Sequence, residues 1–537
     1  MRISILITAL SIMFSSAFAV LEIPNAQPKV HASEWKWVLD STWAGLKRRN
    51  IDSCRSKEIY KQNPDSPGGL ICRPKSETPW DAVSEGIGYG MLLALYADDQ
   101  PTFDKIYNAG KEFGLNFCQG WRKPSDGGGT EPGSATDADE DIALALIFAA
   151  KLVEKNRWNS SSINYANDAQ AGINCVYDSF RGDGGLNPGN QWDPGYNIGY
   201  FAPAWYRIFR DFDSQKRNDG WDRAISKSYA LIEANPAYDI GMVPDWTNHN
   251  GNFLDNGPGY NAYLNGQAFF KDAIRVLWRI ANDYIWFKEP RAKKFLENSL
   301  EFIYSKGGPE AANFYQLKDS NKGELVPASD KWTDFNNDKD SETWRWRREH
   351  SHLTVGQWLT AVMAVGTDDE KIAWSKKMAE FYDYDIKDIK QPDYFGLAVD
   401  PTGGIEDTLH NEIYFDQFLA WFGVSLMSGT WVNVVELLDK EPIDNVEGIP
   451  GSPFPEPPNP IIAKSNIPPG IQINQSYGIL RLSSQSDVVW KIHNLQGKLL
   501  FTSNSKEATW NAGFKGMVVV SAIKGSSVER KLLSTSH

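Results

Sequence analysis

The chain has 537 residues, 41% of them hydrophobic, which is enough to bury a large core and to hold one large domain with a smaller one. Its formal net charge of -13 argues against a nucleic-acid partner, because binding to phosphates needs a basic surface. The 21 Trp, 21 Tyr and 26 Phe suit a protein that places flat rings against weakly charged ligands such as sugars.

Residues 1–19 are typical of a secretory signal peptide. Arg2 lies beside the amino terminus, an apolar stretch runs from Ile3 to Phe14, and Ala17 and Ala19 form a small-x-small cleavage site. The apolar stretch is too short to cross a bilayer, and no later stretch of about 18 apolar residues follows. We therefore expect an exported monomer with no transmembrane segment, located outside the cell or at its surface.

Four cysteines are too few to build a disulfide scaffold, although export permits them to pair. Pairing Cys54 with Cys72 is the most local option, and it would contribute on the order of 3 kcal/mol in the chain-entropy model. Pairings that involve Cys118 and Cys175 stay open.

Twelve segments repeat apolar residues with a period near 3.6, which predicts twelve helices. They are residues 35–49, 84–97, 102–116, 137–155, 162–180, 200–212, 219–233, 265–286, 290–305, 351–366, 369–384 and 409–428. Twelve antiparallel helices can form six inner and six outer helices of an (α/α)6 barrel. An irregular bundle or a solenoid would have the same helix count.

The composition changes at about residue 441. Residues 441–471 are rich in proline and predict a semi-rigid linker after a catalytic domain at residues 20–440. Residues 472–537 contain short β-type runs separated by Gly, Asn and Ser turns, which predict a small all-β domain.

The stretch TPWDAVSEGIGYGM at residues 78–91 places one carboxylate, Glu85, ahead of a glycine-rich turn into a helix. The glycines leave the backbone bare around the carboxyl group, so a bulky substrate can approach it. A Ser-Glu pair before an apolar run is also what an ordinary helix start looks like. We interpret Glu85 as a catalytic acid.

Residues 133–151 crowd four acids at the start of a helix, where the helix dipole and free amides favour negative charge. Capping explains at least two of them, but four exceed what a cap requires. Since Ser134 and Thr136 are alternative caps, Asp137 or Asp139 could instead reach a ligand in a cleft.

Residues 266–284 place Asp272 and Arg275 three apart on one face of a predicted helix. An exposed salt bridge is the simple interpretation. The apolar, aromatic surroundings favour a semi-buried site in which Arg275 holds a carboxylate or a sugar hydroxyl.

Five motifs, taken in order, resemble glycoside hydrolase family 8. They are SEGIGYGM at 84–91, ATDADEDIA at 135–143, YFAPAWY at 200–206, VPDW at 243–246 and DAIR at 272–275. The family includes endo-β-1,4-glucanases, xylanases, lichenases and chitosanases. The resemblance covers roughly residues 35–430, and it implies an (α/α)6 barrel and hydrolysis with inversion.

On the family pattern, Glu85 matches the general acid, Asp137 the residue that holds the sugar at the cleavage point, and Asp272 the general base. An Asp at the position of the general base is similar to the pattern in the family branch that contains cellulases and xylanases. The family commonly has Tyr just before this Asp, where Lys271 stands here; a cation there could lower the pKa of the base or pair with it. Inverting hydrolysis itself needs a protonated and an ionised carboxyl about 6.5–9.5 Å apart.

Candidate substrate-binding residues are side chains that could stack on sugar rings or bond to their hydroxyls. They are Tyr89, Trp121, Tyr200, Trp205, Asp245, Trp246, Arg275 and Tyr414, with Trp192 and Tyr196 as further loop aromatics. Core packing explains any single aromatic equally well, and Asp245 could simply cap a turn.

The chain has no P-loop, no His-Glu-x-x-His and no Cys-x-x-Cys, so we expect no cofactor and no catalytic metal. Residues 334–345 begin like a calcium loop, but Lys339 stands where the loop needs Gly, which favours a solvated acidic loop.

Residues 472–537 are similar to the sorting domains that carry proteins through the type IX secretion route, which implies contact with secretion machinery or the cell surface. A small carbohydrate-binding module is the alternative, although Trp490 and Trp510 are few aromatics for a sugar-binding face.

These observations predict a secreted, inverting endo-β-1,4-glycanase whose partner is a polysaccharide, most simply a cellulose-type β-glucan. A xylanase of the same fold and a non-catalytic polysaccharide-binding surface protein are the alternatives. Two acids at Glu85 and Asp272 argue against the binding protein, which has no need for both.

Overall fold

The computed structural model describes residues 32–74, 78–258, 262–326, 350–382, 395, 414–439, 472–476, 479–494, 499–511, 516–524 and 527–535. Two compact units divide the chain, Met1–Pro453 and Phe454–His537. The predicted signal peptide, the acidic loop at 334–345 and the predicted linker at 441–471 lie outside the described residues.

Within the described ranges, the first unit contains twelve helices of ten or more residues, the number that the apolar periodicity predicts. They are α1 (Ala32–Leu46), α2 (Ser84–Tyr96), α3 (Gln100–Glu112), α4 (Thr136–Glu154), α5 (Tyr165–Asp178), α6 (Pro203–Phe212), α7 (Asn218–Ala234), α8 (Arg275–Phe287), α9 (Pro290–Ser305), α10 (His352–Val365), α11 (Asp368–Glu380) and α12 (Tyr414–Met427). Two six-residue helices, Ala262–Gln267 and Val434–Asp439, accompany them. None of the helices in the described ranges combines the length and apolar character needed to span a membrane.

Six of these helices form a closed ring of neighbours. Helix α2 contacts α4, α4 contacts α6, α6 contacts α8, α8 contacts α10, α10 contacts α12, and α12 contacts α2. Each remaining helix contacts a ring helix: α1 packs on α12, α3 on α2, α5 on α4, α7 on α6, α9 on α8, and α11 on α10. The first unit therefore has an inner and an outer set of six helices.

Burial explains which helices form the ring. In α2 every residue except Glu85 is buried, and in α10 all residues from His352 to Met363 are buried. A helix that is apolar on all sides needs neighbours all round, whereas α3 buries only five of its residues and stays amphipathic. At Gly423 of α12, a Cβ atom would lie 2.1 Å from the carbonyl oxygen of Gly356, so the glycine lets α10 and α12 approach closely.

The predicted helix at 265–286 is wrong in its first half. Strand β5 (Ala268–Phe269) interrupts it by pairing antiparallel with β6 (Tyr315–Gln316), and α8 begins only at Arg275. Asp272 therefore lies in the turn before α8 and does not share a helical face with Arg275.

A four-stranded antiparallel sheet leads into α2. Its strands, in spatial order, are β1 (Cys72–Arg73), β2 (Asp81–Val83), β3 (Gly120–Lys123) and β4 (Glu131–Pro132). The buried Asp81 carboxylate joins them by accepting hydrogen bonds from Arg73 and Arg122. Disulfides link Cys54 to Cys72 and Cys118 to Cys175, so the most local pairing predicted is present.

The second unit is a small β-sheet, as predicted. Its strands are β7 (Gln472–Ser476), β8 (Ile479–Asn494), β9 (Leu499–Asn511), β10 (Gly516–Lys524) and β11 (Ser527–Thr535), ordered β11-β10-β8-β7 with β9 also paired to β8. Trp490 on β8 is fully buried in a core with Ile492 and Val520. Trp490 is thus a core residue and cannot stack on a sugar.

Candidate active site

The acidic motifs converge on a cavity of about 290 Å³ in the first unit. Its lining includes the three acids singled out from the sequence, Glu85, Asp137 and Asp272, together with Trp121, Tyr200, Lys271 and Tyr414. These seven residues come from six separate stretches of the chain and line one cavity.

Arg275, the first residue of α8, binds all three acids. Its side chain is only 1% exposed, and Nη1 donates to Oε2 of Glu85 at 3.0 Å and to Oδ2 of Asp137 at 2.7 Å. Its Nη2 lies 3.4 Å from Oδ1 of Asp272. Because one rigid guanidinium holds both, Glu85 Oε2 and Asp272 Oδ1 are no more than about 9 Å apart.

Glu85 is presented to the cavity by the first turn of α2, directly after β2. The Tyr414 hydroxyl donates to its Oε1, while Arg275 binds Oε2. Burial, together with the nearby charges of Asp137 and Asp272, raises the pKa of Glu85 to about 7, although Arg275 and Tyr414 oppose this rise. A carboxyl that keeps its proton up to neutral pH is suited to proton donation.

Asp272 occupies the turn between β5 and α8. Its Oδ2 accepts from Nδ2 of Asn197 at 3.1 Å, and its carbonyl oxygen accepts from Nε of Arg275 at 3.2 Å. A Cβ atom at Gly199 would lie 2.3 Å from that carbonyl, so the glycine allows the preceding loop to close against the turn. Asp272 is held on several sides while its carboxylate still faces the cavity.

The four acids at the start of α4 each have a different partner. Of these four acids, only Asp137 lines the cavity. Glu140 accepts from the Tyr206 hydroxyl at 2.6 Å, and Asp141 pairs with the fully buried Arg279. Asp139 lies against the second disulfide, with Oδ2 3.3 Å from Sγ of Cys175. Capping therefore does not account for these acids; each meets a separate neighbour.

In the described residues, one group of His, Cys, Asp and Glu side chains has metal-ligand spacing: Cys118, Asp139 and Cys175. Both sulfurs belong to the disulfide, so they are not thiolate ligands.

Three of the candidate aromatics line the cavity. Trp121 on β3 is 39% exposed, while Tyr200 and Tyr414 flank the carboxylates. The Tyr200 ring centroid is 4.9 Å from the guanidinium carbon of Arg275, a cation–π contact that also orients the arginine.

The structure contradicts the predicted sugar contacts of Tyr89 and Trp205, because neither has exposed surface. Tyr89 packs edge-on against Trp278 and Phe422. Trp205 stacks on Trp286 and donates its indole N–H to Asp141. Both are core aromatics, the alternative that the sequence left open.

Asp245 and Trp246 are also buried, against prediction. Asp245 has no exposed surface and accepts hydrogen bonds from backbone amides of the turn at 270–274. Trp246 is 3% exposed and lies edge-on beneath Trp192, which is itself 50% exposed. Trp192 is the ring of this pair that a ligand could reach.

Sequence reasoning missed Asn197 and Arg73. Asn197 lies at residues 183–199, between two predicted helices, where nothing in the sequence distinguished it from its polar neighbours. Arg73 lines the cavity from β1, a two-residue strand that no periodicity could reveal.

Comparison with known proteins agrees with these features. Residues 42–306 match the profile of Glycosyl hydrolases family 8. Endoglucanase 2 of Ruminiclostridium josui is 36% identical over 292 residues, covering 53% of this chain and 58% of that protein. Endoglucanase A of Acetivibrio thermocellus is 36% identical over 300 residues, covering 54% and 57%. The chain thus spans little more than half the length of these relatives.

A solved structure shares the fold. Rex8A from Paenibacillus barcinonensis, complexed with xylose, superposes with a TM-score of 0.53 at 18% identity, covering 74% of this chain and 94% of that chain. In sequence this protein, a reducing-end xylose-releasing exo-oligoxylanase, is 26% identical over 296 residues, or 51% of this chain and 72% of that protein.

The family match includes Glu85, Asp137, Asp272 and Arg275, the four residues whose side chains meet at the cavity. The region from residue 42 to residue 306, which contains these four residues, is therefore similar to glycosyl hydrolases family 8.

Proposed function

We propose that the protein is an exported, inverting endo-β-1,4-glycanase that hydrolyses cellulose-type β-glucan. One observation carries the proposal: a single buried guanidinium, that of Arg275, holds Glu85, Asp137 and Asp272 around one cavity. In this arrangement Glu85 would donate a proton, Asp272 would accept one, and Asp137 would bind the sugar.

In the proposed reaction, Glu85 gives its proton to the glycosidic oxygen as the bond from that oxygen to the anomeric carbon breaks. A water attacks the anomeric carbon from the opposite face and gives a proton to Asp272. The upper limit of about 9 Å between the two carboxyl groups is compatible with the 6.5–9.5 Å spacing that admits this water.

Asp137 is proposed to hold the sugar at the cleavage point. Its Oδ2 is occupied by Arg275, whereas its Oδ1 has no hydrogen-bond partner among the described residues. A buried acceptor without a partner is costly, and a sugar hydroxyl would satisfy it.

We propose that the first unit is an (α/α)6 barrel. The ring of α2, α4, α6, α8, α10 and α12 supports this proposal, since each member contacts the next and the last contacts the first. An open solenoid would lack the contact between α12 and α2.

The glucan preference rests on two matches to endoglucanases at 36% identity. A xylanase is the second candidate, because the Rex8A relative is named for release of xylose. Trp121, Tyr200 and Tyr414 offer aromatic surface to either sugar.

We also propose that the protein is exported and that its β unit acts in sorting. The first 19 residues have signal-peptide character, and two disulfides suit an oxidising compartment. The β unit is proposed to act in type IX sorting or surface attachment, and its buried Trp490 argues against a sugar-binding module.

The test is reducing-sugar release from carboxymethyl cellulose, mixed-linkage β-glucan, xylan and chitosan, with Glu85→Gln as the inactive control. The proposal predicts release from the glucans that disappears in Glu85→Gln. Release from xylan alone would change the substrate but keep the mechanism. Binding without release from any substrate would contradict catalysis and favour a polysaccharide-binding protein.

A further inference from the structure

Asp245 lies beneath the turn that carries Asp272. Its side chain has no exposed surface, and its Oδ1 accepts hydrogen bonds from the backbone amides of Phe270 at 3.1 Å and Ala273 at 2.8 Å. These amides flank Asp272 in the turn before α8, where no earlier helix carbonyl is available to them. Asp245 thus acts as a cap for α8 supplied from 28 residues away.

The backbone around Asp245 is itself bound to the segment before the turn. The Asp245 amide donates to the Ala268 carbonyl at 3.2 Å, and the Trp246 amide donates to the Asn265 carbonyl at 2.7 Å. The Asp245 carboxyl therefore has a fixed position relative to the residues whose amides it holds. A shift of this side chain would move the turn, and Asp272 with it.

We propose that Asp245 is a positioning residue: by bridging the amides of Phe270 and Ala273 it fixes the turn that aims Asp272 into the cavity, and it makes no contact with sugar. This inference rests on the proposed role of Asp272 as the general base.

The bridging role needs a hydrogen-bond acceptor and no charge. Burial and the neighbouring Asp272 charge raise the pKa of Asp245 well above its usual range, although the backbone amides that bind its carboxyl group and the Lys271 charge oppose this rise. Its Oδ2 has no hydrogen-bond partner among the described residues, so no donor stabilises a negative charge on that atom. A neutral amide of the same shape should therefore replace the carboxyl.

Two substitutions separate the acceptor from the charge. Asp245→Asn keeps the acceptor and is expected to retain kcat within about threefold. Asp245→Ala removes it and is expected to lower kcat about 100-fold with KM nearly unchanged, since a misplaced base slows the chemistry and leaves the sugar contacts intact. If Asp245→Ala does not fold, Asp245→Ser, whose hydroxyl is too short to bridge both amides, replaces it.

Asp213→Ala is the matched control. Asp213 is equally buried and accepts from the Gln215 amide, but it follows α6 and does not line the cavity. It should lose thermal stability and keep kcat. A fall in kcat with Asp213→Ala as large as with Asp245→Ala would overturn the inference, because general destabilisation would then explain both.

Hydrogen exchange of the peptide that covers residues 268–276 tests the bridge without reference to activity. The Phe270 and Ala273 amides should exchange slowly in the parent protein and in Asp245→Asn, and at least tenfold faster in Asp245→Ala. Equal exchange in all three would overturn the bridge.

The pH profile of kcat/KM completes the test. Its acid limb reports the general base, and removal of a neighbouring negative charge would move that limb to lower pH. The inference predicts no movement in Asp245→Asn. A shifted limb, a raised KM, or an Asn variant as slow as the Ala variant would each overturn it.

Failure of the proposed function would look different: no substrate would be cleaved by the parent protein, or Asp272→Asn would keep its activity. The exchange measurement would still show whether Asp245 holds the turn.

Discussion

The guanidinium of Arg275 is the positive charge to which the acids of the site bind. Three carboxyl groups surround its guanidinium, and the Tyr200 ring covers one of its faces. Because burial and like charges favour the neutral form, Glu85 keeps its proton while the arginine holds its neighbours in place. The proposed division between the acid, Glu85, and the base, Asp272, depends on their positions around this one cation.

Glu85→Gln and Asp272→Asn are each expected to lower kcat by at least about 10²–10⁴-fold, the usual contribution of a general acid or base. Both substitutions preserve shape, so the thermal midpoint should change little. Steady-state kinetics and thermal unfolding check this, with the exposed Glu154→Gln as control. Turnover like that of the parent in either variant would remove that residue from the mechanism.

The basic limb of the kcat/KM profile is expected near pH 7. Glu85 must be protonated to act, and its pKa is raised to about 7, so activity falls as the pH rises through this value. A basic limb near pH 4.5, where an unperturbed Glu ionises, would contradict the assignment.

Tyr414→Phe is expected to move that limb to higher pH. The Tyr414 hydroxyl donates to Glu85 and so favours its ionised form; without this bond the pKa of Glu85 rises. The pH profile of the variant, compared with that of Tyr382→Phe, measures the shift. Movement to lower pH would mean that Tyr414 does not stabilise the carboxylate.

Motif order singled out Glu85, Asp137, Asp272 and Arg275, and the structure brings these four together. Their catalytic roles stay predictions. Tyr89 and Trp205 were misjudged because a sequence does not tell which face of an all-buried aromatic helix meets a cavity. Asn197 was missed because one polar loop residue carries no periodic signal.

At the scale of elements, α4 carries an acid, Asp139, whose burial is unfavourable to its charge. Burial raises the pKa of Asp139 to about 7, while the Cys118 amide bonds weakly to it at 3.4 Å. The folded protein then holds a proton that the unfolded chain releases above about pH 4. The contribution of Asp139 to the free energy of unfolding should therefore fall as the pH rises from about 4 to 7.

Asp139→Asn removes this loss. The thermal midpoint of Asp139→Asn minus that of the parent protein should be larger at pH 8 than at pH 4. The increase should correspond to up to about 4 kcal/mol in the free energy of unfolding. Calorimetry at both pH values, with exposed Asp126→Asn as control, measures the difference. A difference that stays constant with pH would show that Asp139 ionises normally.

Apolar periodicity predicted long helices well, because each buries a continuous stripe. It failed at residues 268–274, where the apolar run continues through a strand and a turn. The pairing of β5 with β6 and the acceptor from Asp245 are long-range contacts that override local preference. The sheet of β1 to β4 was missed because its strands have only two to four residues.

At the scale of the whole molecule, the two units have separate cores. The β unit packs Leu482, Trp490 and Val520 among its own strands. A chain that ends at Pro453 is therefore expected to keep kcat on soluble β-glucan within about twofold. Kinetics of the shortened and full chains compare them, and a tenfold loss would show that the β unit contributes to the site.

The stereochemistry of the first product tests the central claim, that Glu85 and Asp272 act as an inverting acid–base pair. Proton NMR of a β-1,4-gluco-oligosaccharide digest, recorded before mutarotation, distinguishes the new anomers. Hydrolysis with inversion of a β-linkage predicts that the α-anomer appears first and that the β-anomer follows only as mutarotation proceeds. A β-anomer at the earliest time points would mean retention through a covalent intermediate, and would contradict the roles assigned to both residues.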